Sequence, residues 1–298
     1  MKLQISLFIS LILATTCARA DISVFACEPE WASLAQALAQ KHADVFQATT
    51  AFQDPHHIEA RPTLIAKMRR ADLVVCSGAD EEVGWLPLLI RSSGNNKVVQ
   101  GSDGYFEAAM QVERLDIPQK LDRSQGDVHA AGSPHVHLDP NRMLTIATKL
   151  VERLSRIDAD NANDYQQNLA NFTASIQQLL AKLQPAKDQL QGKIFIVHHN
   201  AWSYLFDWLG VTMLTTIEAT PGMPPSSSDL KRLLESVKGQ KVNGILLAAY
   251  QNDSAATWLS KQTNIPVIKL PYTVGGSDAA KDLPSLYEDT VNQLIHVQ

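Results

Sequence analysis

Nine histidines occur in the 298-residue chain, and six of them fall into three tight clusters. The first is Asp54-Pro55-His56-His57-Ile58-Glu59, the second Pro134-His135-Val136-His137-Leu138-Asp139-Pro140, and the third Val197-His198-His199-Asn200-Ala201-Trp202. Imidazole nitrogen is a good zinc ligand, and three histidines with one oxygen make a tetrahedral site. Asp54, Asp139 and Asn200 are placed to hold the second ring N–H of a ligating histidine, or simply to cap turns and helices. A lone histidine is usually a satisfied core or surface residue, and His42, His129 and His296 are read that way. Trp31, Trp85, Trp208 and Trp258 sit in apolar or helical contexts and read as core, whereas Trp202 adjoins the third cluster and could wall a cleft.

The elements that would position these clusters alternate along the chain. Ile22 to Ala26, Val45 to Thr49 and Ala71 to Val75 read as strands, separated by helical stretches at residues 31–42 and 63–70. The second half repeats the pattern, with strands at residues 193–197, 244–248 and 267–270, and helices at 201–209, 228–237, 254–263 and about 283–296. Such alternation implies α/β architecture with parallel sheets. Between the halves, residues 141–190 show helical periodicity with few breakers until Pro185. The expected fold is two Rossmann-like lobes, residues 21–140 and 191–298, each a parallel sheet flanked by helices, joined by one long rigid helix over 141–190. Ligands gather outside the carboxyl ends of strands in open α/β sheets. The first and third clusters follow strands and the second stands at the lobe boundary, so facing lobes would bring all three to one cleft.

Composition narrows the function classes. Met1-Lys2, an apolar run from Leu3 to Ala14 and the small residues of Ala18-Arg19-Ala20 form a secretory leader, with cleavage expected after Ala20. Cys17 could instead anchor a lipoprotein, but Ala14-Thr15-Thr16 is a poor lipobox. Without residues 1–20, 24 basic and 31 acidic side chains give a net charge of −7. That argues against nucleic acid, whose phosphates need a basic face. Aromatic residues are 6% of the chain, which disfavours a sugar cleft of stacked rings. Cys27 and Cys76 each end a strand-like run and are exported to an oxidising compartment, so a disulfide is feasible; two buried thiols are the alternative.

The chain resembles the metal-binding proteins of ABC importers, the cluster A-I group of zinc and manganese receptors. The resemblance is carried by Asp54-Pro55-His56 followed by a helix and Ala71-Asp72-Leu73-Val74, by Pro134 to Pro140 with His137 where the group has tryptophan, and by His199-Asn200-Ala201-Trp202. With looser matches at residues 221–230 and 266–276, it covers most of the chain beyond the leader. It makes His56, His135 and His199 the ligands, and leaves His57, His137 and His198 as supporting or alternate groups. Histidine rather than glutamate at the third position points to zinc over manganese. The group's aspartate after the last strand falls at Pro271, so the fourth ligand is open between Asp278, Glu59 and a water. The long His-rich loop of many zinc receptors is lacking, since residues 114–133 hold only His129.

The resemblance therefore implies a periplasmic monomer that captures Zn2+ as cargo and hands it to an inner-membrane ABC permease with its ATPase. The runner-up is a secreted zinc hydrolase using Glu59 or Asp278 as a base, disfavoured because neither His-Glu-x-x-His nor Gly-x-Ser-x-Gly occurs. A metal chaperone or adhesin on the same fold is a third reading.

Overall fold

A computed structural model describes residues 22–119 and 126–296. The leader read over residues 1–20 lies outside them. Strands β1 (Ile22–Ala26), β2 (Ala43–Gln47), β3 (Leu73–Cys76) and β4 (Tyr105–Glu107) form a parallel sheet in the order β2-β1-β3-β4. Strands β5 (Ile194–Val197), β6 (Thr212–Thr216), β7 (Gly244–Ala248) and β8 (Val267–Leu270) repeat that order as β6-β5-β7-β8. The central strands β3 and β7 are buried from end to end, which is why they read as unbroken apolar runs rather than as alternation. Helices α1 (Pro29–Ala39), α2 (Pro62–Met68) and α3 (Leu86–Ser93) belong to the first lobe. The second lobe carries α6 (Ser203–Leu209), α7 (Ser227–Val237), α8 (Ser254–Thr263) and α9 (Leu283–Ile295).

Two strands escaped the sequence reading. β4 has three residues, too few to show a period, and β6 is a half-exposed edge strand with three threonines in five positions. The parallel register explains the cysteines. Ala26 pairs with Val75, so Cys27 and Cys76 emerge side by side; their Cα atoms are 4.9 Å apart and they are joined as a disulfide.

The lobes are joined by the long helix α5 (Ala162–Leu190), preceded by α4 (Pro140–Ile157). The helical stretch breaks at buried Asp158, whose carboxylate accepts bonds from Asn161 at 2.7 Å and the Tyr165 hydroxyl at 2.6 Å. α4 is sharply amphipathic. Its Met143, Ile146, Ala147, Leu150, Val151 and Leu154 all lie on the buried side. Those residues belong to one apolar core that runs from Val24 and Leu34 in the first lobe, through Ile176 of α5, to Val197, Leu205 and Leu270 in the second. Among the described residues no helix is long and apolar enough to cross a membrane.

Candidate metal centre

The carboxyl ends of both sheets meet at the histidines. His56 sits in the loop after β2, fixed because the Trp85 indole donates to the Pro55 carbonyl at 2.9 Å. His135 lies just ahead of α4, at the lobe boundary, and His199 follows β5. Ring centroids are 6.2 Å apart for His56 and His135, 6.0 Å for His56 and His199, and 6.3 Å for His135 and His199. Three residues separated by up to 143 positions thus form one triangle of imidazoles.

Each ring is oriented by a carboxylate. Nδ1 of His56 is 2.9 Å from Asp54 Oδ1, Nδ1 of His199 is 2.7 Å from Glu218 Oε2, and Nδ1 of His135 is 3.3 Å from Glu81 Oε1 and 2.7 Å from the Tyr272 hydroxyl. A carboxylate can only accept, so each Nδ1 carries the proton of the neutral ring. In that neutral form each Nε2 keeps a lone pair, the form a metal requires. Nε2 of His135 is buried and has no protein partner. Burial pushes all three carboxyls up, but their histidines outweigh it. Asp54 and Glu81 are held below the usual carboxylate range and Glu218 falls to about 2. Beneath them, burial and the neighbouring Glu81 charge lift Glu82 to about 8.

A fourth ring joins the three. His129 packs against His56 with centroids 5.2 Å apart and against His135 at 5.8 Å, and its Nε2 is 3.2 Å from Nε2 of His56. Burial opposes the His56 imidazolium, yet the Asp54 bond and the charge of Glu81 raise it to about 9. Burial, and repulsion between its imidazolium form and those of His135 and His56, drive His129 down to about 3. A protonated His56 would direct its Nε2–H at Nε2 of His129.

Residues 24–297 match a family described as the zinc-uptake complex component A, periplasmic, or ZnuA. The chain belongs to that family. It is therefore a substrate-binding component of a metal ABC transporter, working with a membrane permease and its ATPase, and not an enzyme; the zinc hydrolase weighed from sequence is set aside. Among similar proteins, the manganese ABC transporter substrate-binding lipoprotein PsaA of Streptococcus mitis is 24% identical over 297 residues, covering 94% of this chain and 92% of that one. The zinc-binding lipoprotein AdcA of Streptococcus pneumoniae is 25% identical over 215 residues, covering 71% of this chain and 42% of that one. A crystal structure of ZnuA superposes with a TM-score of 0.78 at 21% identity, covering 93% of this chain and 99% of that one. The manganese-bound periplasmic metal-binding protein of Candidatus Liberibacter asiaticus gives 0.73 at 15% identity, with 93% of this chain and 99% of that one covered.

The remaining histidines of the clusters take other positions. His57 is exposed, 3.8 Å from Asp127. His198 lies 3.4 Å from Glu218 on the far side of that carboxylate from His199. His137 is buried. Its Nε2–H donates to the Tyr272 carbonyl at 3.1 Å, Nδ1 is 3.2 Å from Glu30, and its own carbonyl accepts from Tyr287 at 2.8 Å. It braces the two lobes beneath the site. Asp139 caps α4 through the Asn141 N–H at 2.8 Å rather than holding a histidine ring. Asp278 is exposed in the loop after β8 and lines none of the cavities around the histidines; Glu59 is exposed as well.

Sequence reasoning missed Glu81, Glu218, Tyr272 and His129. The first two follow strands β3 and β6, and the third directly follows the loop's Pro271 after β8, so their place at carboxyl ends was the available signal. His129 had none, because it stands alone in a loop with no periodicity.

Proposed function

We propose that this chain is an exported zinc receptor, released into the periplasm by cleavage of residues 1–20, that captures Zn2+ with His56, His135 and His199 and delivers it to its permease as a monomer. The carrying observation is the set of three neighbouring imidazoles whose Nδ1 atoms each face a carboxylate, so that Nε2 is the free ligand atom of each neutral ring. Three carboxylates behind three neutral rings also offset the charge of a divalent cation. The PsaA relatives, described as manganese proteins, raise the alternative of a manganese receptor. Nitrogen ligands favour zinc, whereas manganese prefers oxygen. A host strain lacking the gene tests the transport role. It should grow poorly only when zinc is scarce, and recover with the wild-type chain but not with His56, His135 and His199 all changed to alanine. Rescue by the triple variant, or a growth defect cured by manganese alone, would overturn the reading.

A further inference from the structure

We propose that His129 is the fourth metal ligand, closing an all-nitrogen shell from a strap that leaves the first lobe and docks on the second. This rests on the zinc reading above and replaces the oxygen ligand sought at Asp278.

Tetrahedral zinc with Zn–N bonds of about 2.0–2.1 Å sets its ligand nitrogens about 3.4 Å apart. The 3.2 Å between Nε2 of His56 and Nε2 of His129 is already close to one edge of that tetrahedron. His129 also faces His135, with ring centroids 5.8 Å apart, and lines a cavity together with His199.

The strap is built to hold that ring. The Asp127 N–H donates to the Pro221 carbonyl at 3.1 Å, and the Leu115 N–H donates to the Tyr204 hydroxyl at 3.0 Å. That hydroxyl donates in turn to the Ser133 carbonyl at 2.8 Å, and Ser203 bonds Asp116. Tyr204, Ser203 and Pro221 are all second-lobe residues, so both ends of the described strap are tied across the cleft. The approach is close enough to demand glycine at position 126, where the neighbour is backbone. A Cβ on Gly126 (φ +83°) would lie 2.0 Å from the Pro221 carbonyl oxygen, and one on Gly222 (φ +76°) 2.1 Å from Asp127. His129 is thus delivered by a fitted backbone, not by a free loop tip.

An all-imidazole shell makes His129 a determinant of metal choice. It withholds the oxygen ligand that manganese favours and presents four borderline-soft nitrogens. The test is Zn2+ and Co2+ titration of the full-length mature protein and of His129→Ala, His129→Asp and His199→Ala, with far-UV circular dichroism to verify folding. His129→Ala should still bind one zinc, with a dissociation constant raised at least about tenfold, since even supporting partners of ligands are worth that much. Its Co2+ visible absorption should fall as water replaces a nitrogen, and zinc should no longer slow amide exchange at residues 126–132. His129→Asp should bind zinc less selectively over manganese than wild type. Wild-type affinity and an unchanged cobalt spectrum in His129→Ala, with binding lost in His199→Ala, would refute the fourth ligand while leaving the three-histidine site intact. Wild-type binding in both alanine variants would overturn the site as a whole.

Discussion

The Tyr272 hydroxyl lies 2.7 Å from Nδ1 of His135, a bond that ties the loop after the last strand of the second lobe to a proposed ligand on the boundary of the first. Tyr272 is buried, holds a left-handed backbone (φ +65°) and packs edge-on against Trp202 with centroids 5.5 Å apart. A bulky residue keeps such a backbone only where its surroundings enforce it. Tyr272→Phe preserves that packing and removes one oxygen. We expect zinc affinity to fall roughly tenfold, with little change in folding, because Glu81 still faces the same nitrogen. Calorimetric titration of the variant checks this.

Glu218 serves three partners at once: His199 at 2.7 Å, His198 at 3.4 Å and the Gly222 N–H at 2.8 Å. Glu218→Gln keeps the shape and discards the charge that aligns His199. Zinc affinity should drop about 10- to 100-fold, more than in Tyr272→Phe, since among the described residues no other carboxylate bonds that ring. An equal or smaller effect would show that His199 is oriented by packing alone.

Metal binding should release a proton. His56 is raised to about 9 in the metal-free protein, so it is protonated at pH 7 and must become neutral to ligate. Apparent zinc affinity should therefore rise about tenfold per pH unit between roughly pH 7 and 9, then level off. Titrations at pH 7 in buffers of different ionisation enthalpy should report close to one proton released. Asp54→Asn removes the carboxylate charge that helps raise His56, and should cut that release and flatten the slope.

The Cys27–Cys76 disulfide closes a loop of 49 residues that includes β2 and the His56 loop. Chain-entropy reasoning gives such a bridge about 4 kcal/mol. Replacing both cysteines by alanine should lower the unfolding free energy by about 2–4 kcal/mol in urea. Zinc affinity should change much less, because neither sulfur touches a histidine.

The fold was legible where burial wrote it into the chain. Runs such as Gly244 to Ala248, apolar throughout because both faces are covered, read as strands at once, and residues 141–190 read as helix, though not their break at Asp158. The half-exposed β6 left no such mark, and with it went Glu218, which lies just beyond its end. The three histidine clusters that the structure brings together were visible because their histidines adjoin element ends. The groups that orient them were not, since Glu81 meets His135 across 54 positions and Tyr272 meets it across 137. His129 shows the same limit most plainly. A solitary histidine in a polar loop reads as ordinary surface, and only the docking of that loop on Pro221 and Tyr204 carries it to His56.

The claim that this cleft is built for zinc is tested most directly by competition. The metal-stripped protein, titrated with Zn2+ in the presence of excess Mn2+ at pH 7.5 (about physiological, where zinc must still displace the His56 proton), should take up one zinc per chain. Manganese should fail to displace it even at about 1,000-fold excess, and changing His56, His135 and His199 to alanine should abolish the uptake. Preferential retention of manganese, or zinc binding unaltered in the triple variant, would contradict the account.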